Sequence, residues 1–432
     1  MALHNPVPPP IETPLVIVEE EEEVNDTQLT VSLRRLETFL GIFGFWQCSV
    51  LTFVLSWLSF LLLGVALPLL IIKFSYCSNC EKYEIRTFEL EILISQSIVA
   101  AISLLCISHN LRKYGVRKFL FVDRYHGHIT QFRQEYILRI NGFFRLLAVW
   151  FLLCFILKAA REVVHVVYVH HSWWQSVGIS AALLVSWTYS TVIYLTGGAL
   201  FHLVCNLQVI HFENYGKLLE RDVDVSVYIE EHIRLTHHLS KISHRFRIFL
   251  ILEFLFVTAS QFMSLLETTG NRGIINFTNG GDFVVCSIAE LVGIIICLHA
   301  AAKITHRAQG LASVASRWHA LVTCNPNDAS QLGMNNGGSL ETAYPSGSLP
   351  ISYSESDLES VDYVPMPTNT QLASYMSMYQ KRQAFVTYLQ SNPGGVTVFG
   401  WTIDRVLINT IFFVELSLVL FVLGKTITFT TK

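Results

Sequence analysis

Long uncharged apolar stretches, separated by polar connections, dominate the hydrophobic pattern of this chain. A bilayer core takes about 20 apolar residues in helical form, because nothing in hydrocarbon can satisfy a free backbone group. Seven stretches fit or come close: Val50–Ile72, Phe88–Ile107, Phe143–Ala160, Val177–Leu207, Ile248–Leu266, Phe283–Ala302 and Val406–Leu423. The first has Pro68 near its end. The third is the shortest of the early ones, with Arg145 and Lys158 near its edges, from which both are expected to snorkel to the interface. The fourth carries no charge, and Trp173 and Trp174 precede it where an interfacial belt belongs. The pattern predicts an all-α membrane protein with seven transmembrane helices.

Between these stretches lie amphipathic and featureless segments. Phe212–Arg247 is polar but carries Leu218, Leu219, Val223, Tyr228, Ile229, Ile233, Leu239 and Ile242 at rough helical spacing. It is read as extensions of the fourth and fifth helices beyond the bilayer. A second such block, Gln371–Leu389, precedes the last span and is separated from it by Asn392-Pro393-Gly394-Gly395. Asn325–Thr370 is rich in Ser, Gly, Asn and Pro, with six acids and no Lys or Arg, the composition of a disordered linker. Ser352, Ser354 and Ser356 lie among its acids in a phosphoacceptor-like context. The expected organisation is a disordered acidic tail over 1–32, spans one to six over 33–324, the linker over 325–370, and a helix with the seventh span over 371–432.

Composition agrees with lipid as a solvent: 52% of the 432 residues are hydrophobic and 15% charged. A net charge of −3 argues for no nucleic-acid partner. Met1–Leu33 lacks a basic start and short apolar core, and holds the acidic run Glu19–Glu23, so the first span is expected to act as its own insertion signal.

Lys and Arg counts orient the chain. With the N-terminus cytosolic, the cytosolic segments (Met1–Gly44, Ser108–Gly142, His211–Arg247 and Lys303–Thr402) hold 20 basic residues. The external segments (Lys73–Thr87, Lys158–Gln175, Glu267–Asp282 and Gly424–Lys432) hold 8. The C-terminus is therefore expected outside. The sequon Asn276-Phe277-Thr278 lies in an external loop, making Asn276 the candidate glycosylation site, whereas Asn25-Asp26-Thr27 lies on the cytosolic side.

Catalytic chemistry is scarce. No phosphate-binding loop, dinucleotide fingerprint, nucleophile elbow or HExxH occurs. The groups His165, His170, His171 and His237, His238, His244 lack Cys or carboxylates at metal-ligand spacing. The chain reads as a non-enzyme without metal or cofactor. Asp123-Arg124-Tyr125 matches a G-protein-coupled receptor tripeptide, but follows the second span in a chain of opposite orientation. Cysteines mostly sit in apolar runs as small hydrophobes. Cys77 and Cys80 share an external loop and can bridge each other or pair between subunits. The sharper signals are Glu253, Glu290 and Glu415 inside the last three spans, where a carboxylate costs several kcal/mol unless paired, hydrated or protonated.

Several segments resemble one family closely. Ser32-Leu-Arg-Arg-Leu-Glu-Thr-Phe39, Leu111-Arg-Lys-Tyr-Gly-Val-Arg-Lys-Phe-Leu-Phe-Val-Asp123, Ile242-Ser-His-Arg-Phe-Arg247, Val257-Thr-Ala-Ser-Gln-Phe262 and Lys303-Ile-Thr-His-Arg-Ala-Gln309 with Trp318-His319 look like the land-plant gustatory-receptor-like membrane proteins. The resemblance covers about Leu33 to Gly424. It implies the seven-helix fold of insect gustatory and odorant receptors, which are tetrameric ligand-gated cation channels. In those, helices four to seven extend into a cytosolic anchor and the last helix of each subunit lines one pore. Function is carried over by shared fold alone. The insect signature of Thr-Tyr, five apolar residues and Gln-Phe is altered here: Ile411 follows Thr410, and Ser417 replaces the Gln.

The resulting expectation is a homotetrameric, ligand-gated, non-selective cation channel in the plasma membrane or an endomembrane. A non-conducting receptor or scaffold and a transporter are the alternatives, with Gly197-Gly198 the one hint of the broken helix a transporter uses. Asn409 and Leu416 share a face of the last helix and are the expected pore lining, with Glu415 bordering it. By fold analogy an unknown small-molecule ligand enters from outside, where Trp173, Trp174, Trp187 and Tyr189 form the most aromatic cluster. An interfacial belt is the other reading of those rings.

Overall fold

The computed structural model describes residues 15–74, 83–122, 132–169, 173–219, 224–270, 277–323 and 378–430. Apart from one two-strand hairpin the described chain is helical. The helices are α1 (Leu15–Ile42), α2 (Val50–Phe60), a π-helical stretch (Leu61–Ala66), α3 (Leu67–Phe74), α4 (Tyr83–Leu120), α5 (Arg133–Val169), α6 (Trp173–Leu218), α7 (Val225–Gly270) and α8 (Phe277–Thr323). They are followed by α9 (Met378–Ser391), β1 (Thr397–Val398), β2 (Trp401–Thr402) and α10 (Arg405–Thr430). Among the described residues six helical stretches are long and apolar enough to cross a membrane, from Val50–Lys73 to Gly281–Leu321. The chain is an all-α membrane protein.

Burial separates two central helices from the rest. In the most apolar stretch of α6, 94% of residues are buried, and 83% in α8, against 22–33% in the other four. The outer helices expose Leu, Val and Phe, such as Leu55, Leu152 and Leu255, as an apolar solvent would require. Close approach of α6 and α8 depends on glycine. A Cβ on Gly293 would fall 2.1 Å from the Tyr194 hydroxyl of α6, and Gly198 faces Cys297 and the Gly293 carbonyl of α8, whereas Gly197 faces Ser103 of α4. Gly197-Gly198 therefore marks tight packing, and α6 runs through it unbroken.

The first span turns π-helical at its middle for an identifiable reason. Pro68 has no N–H to give to the carbonyl of Gly64, one turn back. Leu67 instead bonds the Leu62 carbonyl, five residues back, which is the π spacing. Ser97 on α4 donates to the freed Gly64 carbonyl at 3.3 Å.

Helices α6, α7 and α8 have 46, 46 and 47 residues. At 1.5 Å per residue each is roughly 70 Å long, more than twice the hydrocarbon thickness of about 30 Å. Their ends beyond the apolar stretches pack together with α9. Tyr228 lies 5.8 Å from both Phe385 and Trp318, Tyr215 donates to the Tyr228 carbonyl, and the Tyr388 hydroxyl meets His232 Nδ1 at 3.2 Å.

The N-terminal tail differs from expectation in part. Helix α1 begins at Leu15, within the segment expected to be disordered, and runs through Glu19–Glu23. Glutamate forms helices well. Leu33, Leu36 and Leu40 recur at helical spacing on its buried side, and Phe39 meets Phe143 and Phe144 of α5 edge-on. The 325–370 linker lies outside the described residues.

Candidate functional site

The last helix is positioned by the hairpin before it. Phe399 and Gly400, both at positive φ, form the two-residue turn between β1 and β2, as the right-handed twist of paired strands requires. Phe399 adopts a conformation unusual for a large side chain, with the Arg247 guanidinium 5.0 Å from its ring centre. The hairpin is held between α7 and α8: Ser243 Oγ accepts from the Thr397 amide and Thr305 Oγ1 from the Val396 amide, each at 3.2 Å. Asp404 then caps α10, its carboxylate accepting from the Leu407 amide at 2.8 Å.

Helix α10 packs on α7 and α8 along one side only. Glu415 (1% exposed) and Val419 lie on that side, and Thr258 Oγ1 of α7 donates to Glu415 Oε1. The other side carries exposed Val406, Asn409, Thr410, Phe413, Ser417 and Leu420, while Leu416 is half-buried. Asn409 and Glu415 thus occupy different surroundings.

The other two acids are buried as well. The Glu290 carboxylate of α8 lies 3.3 Å from the Ser95 hydroxyl of α4, which lies 2.6 Å from the Ser260 hydroxyl of α7. Tyr194 of α6 donates to the Glu290 carbonyl at 2.6 Å. Glu253 of α7 faces Cys297 of α8, whose sulfur lies 3.6 Å from Oε2. Among the described residues, Gln261, 1% exposed, has no hydrogen-bond partner at either side-chain polar atom, and neither does Glu415 Oε2. The three carboxyls meet different neighbours, and no group of three or more His, Cys, Asp or Glu able to hold a metal occurs among the described residues.

At the opposite end of α5 the structure corrects an expectation. Lys158 does not snorkel: it is 4% exposed and pairs with Asp282 of α8 and, at 3.2 Å, with Glu162. Arg161 joins them, 2.9 Å from Glu162 and 3.9 Å from Asp282. Two cations thus meet two anions, which is how charge survives in an apolar setting. Lys158 Nζ also lies 5.9 Å from the Trp187 ring centre. Sequence reading missed this tetrad, although the Lys-x-x-Arg-Glu order on α5 puts all three charges within one turn.

The expected aromatic cluster is divided. Trp187 is buried beside the tetrad, Tyr189 is half-buried, and Trp174 is 85% exposed. Helix α6 starts at Trp173, whose side chain lies outside the described residues, as do Cys77, Cys80 and Asn276.

No curated protein matches the chain. A family profile matches it over residues 31–414, from the buried face of α1 into α10. That match spans most of the 432 residues, so the chain belongs to the family described as "Protein of unknown function (DUF3537)".

Proposed function

We propose that this chain is one subunit of a homotetrameric, ligand-gated cation channel whose pore is lined by α10, the seventh span. The carrying observation is the two-sidedness of α10. One side is packed on α7 and α8, and the other leaves Asn409, Thr410 and Ser417 exposed among Val406, Phe413 and Leu420. Thr410 satisfies itself on the Val406 carbonyl at 2.9 Å, whereas an amide such as Asn409 facing hydrocarbon is costly. Four such helices around an axis put that face against water and turn each polar residue into a ring. The resemblance to the gustatory-receptor-like proteins supports the same arrangement, with α6 to α9 as the anchor.

In this reading the N-terminus is cytosolic and the C-terminus external, as the basic residues demand. The small-molecule site lies near Trp187 and Tyr189, beside the Lys158–Asp282 tetrad. A transporter has less support, since α6 is continuous at Gly197-Gly198. Purified protein in a planar bilayer tests the proposal. Cation current from four-subunit particles is expected, and a Leu416→Ala variant that stays silent alongside the wild type under every stimulus defeats it. Protease accessibility of tags at each end tests the orientation separately.

A further inference from the structure

The hairpin ahead of α10 has its base and its tip in different surroundings. At the base, Val396 is buried, and the amides of Val396 and Thr397 are taken by Thr305 of α8 and Ser243 of α7. At the tip, Phe399 is 55% exposed and Trp401 76%. Two cations stand beside these rings. The Arg247 guanidinium of α7 lies 5.0 Å from the Phe399 ring centre, and Arg405 is exposed at the first position of α10.

The helices that hold the hairpin fix its depth. Ser243 lies five residues before Ile248, where the apolar stretch of α7 starts, and Thr305 three after Ala302, where that of α8 ends. At about 1.5 Å per residue both lie within about 8 Å of the hydrocarbon, and the headgroup layer is itself about 5–7 Å thick. Arg247 directly precedes Ile248, so the Phe399 ring sits nearer still. Every exposed described residue of α7 from Ile248 onward is apolar, including Leu255, Phe262 and Met263. The tip therefore borders the apolar surface of a membrane helix.

The residues at the tip suit that depth and not the turn. A two-residue turn with both φ positive usually takes Asn-Gly or Asp-Gly, because a left-handed backbone strains a large side chain. Phe399 has a φ of 48° all the same, and with its side chain more than half exposed, burial within the chain does not account for it. Aromatic rings are favoured where a membrane meets water, and cations beside them meet lipid phosphate. We propose that the β1–β2 tip docks in the phospholipid headgroup layer, with Phe399 and Trp401 entering it and Arg247 and Arg405 meeting its phosphates. The chain is thereby held to the membrane surface just ahead of α10. The proposal rests on α7 and α8 spanning a bilayer and not on the channel reading.

The test puts photoreactive benzoylphenylalanine in place of Trp401, and separately of Phe399, in the full-length protein held in nanodiscs of phosphatidylcholine and phosphatidylglycerol. On illumination the intact mass is expected to rise by one phospholipid at either position. The same probe in place of Tyr379 should give no lipid adduct. Tyr379 lies against His319, 17 residues past Ala302 and so roughly 25 Å beyond the apolar stretch. Adducts joining two copies of the chain would make the tip a subunit contact and overturn the lipid assignment. No adduct at either tip position, or as much lipid at 379 as at 401, would overturn it too. The native ring gives a second reading. The emission lost in Trp401→Leu should be emission that brominated phosphatidylcholine quenches in the wild type, and a lost component indifferent to bromine would put Trp401 in water and defeat the proposal.

Discussion

Thr258 of α7 donates its hydroxyl proton to the buried carboxyl of Glu415 and so ties α10 to the helix it lies on. The second carboxyl oxygen, Oε2, has no hydrogen-bond partner among the described residues. Thr258→Val keeps the shape and removes the donor, leaving the carboxyl wholly unsatisfied at a cost of about 1–3 kcal/mol. The expected outcome is a lower unfolding temperature in detergent. Adding Glu415→Leu should recover part of the loss, since replacing both partners by apolar groups avoids a stranded polar atom. If the double variant is as unstable as the sum of the two single ones, the pair is not coupled.

A second expectation concerns the buried tetrad. Lys158 and Asp282 have side chains 5% and 19% exposed. Asp282→Asn leaves two cations against one anion and should destabilise by roughly 3–5 kcal/mol, the usual effect of breaking a buried pair. Lys158→Met together with Asp282→Leu should lie close to wild type. Circular dichroism melts of the two forms decide the matter, and equal loss in both would mean that the pair matters by packing and not by charge.

How legible this was in the sequence depended on the kind of signal. Apolar runs marked the six helical stretches long and apolar enough to cross a membrane, because hydrocarbon allows so few solutions, but not how far those helices continue beyond the apolar runs. They could not show that α6 and α8 are central, since a helix apolar all round looks the same against lipid or protein. The discriminating residues were the small ones, Gly198 and Gly293, of which only Gly198 drew notice in the sequence, with Gly197 as a hint of a break. Lys158 was misplaced because its partner Asp282 is 124 residues away, and a charge near a span end looks like a snorkelling one until the partner is seen. The hairpin before α10 escaped because Phe399-Gly400 is not the Asn-Gly or Asp-Gly pair that usually marks such a turn. The burial of Glu253, Glu290 and Glu415, by contrast, follows from their place in apolar runs.

Close packing of α6 on α8 gives a third prediction. A methyl group at residue 293 meets the Tyr194 ring at 2.1–2.5 Å, with the ring itself buried. Gly293→Ala should therefore cost about 1–3 kcal/mol by forcing the helices apart or the ring off its rotamer. Tyr194→Phe should not rescue it, because the ring carbons clash as well as the oxygen, whereas Tyr194→Ala should. Recovery by the phenylalanine variant, measured as folded yield after size-exclusion chromatography, would show that only the hydroxyl was in the way.

The last prediction separates the two faces of α10. Asn409 is exposed and Leu416 half-buried, while Glu415, the residue just before Leu416, turns toward α7. Consecutive residues on a helix point about 100° apart, so 409 and 416, two turns apart, align and 415 does not. In a four-fold assembly closed around the Asn409 face, Leu416 forms an apolar constriction that gates by dewetting, and Asn409 supplies neutral dipoles two turns away. Leu416→Ala should then raise basal current, and Asn409→Ala should shift the reversal potential under mixed-cation gradients. Glu415→Gln should leave selectivity intact and change expression or assembly instead, because its carboxyl meets Thr258 and not the axis. Single-channel recording of the three variants, with particle mass measured in parallel, distinguishes these roles. Loss of cation preference in Glu415→Gln with an inert Leu416→Ala would place the opposite face of α10 at the pore.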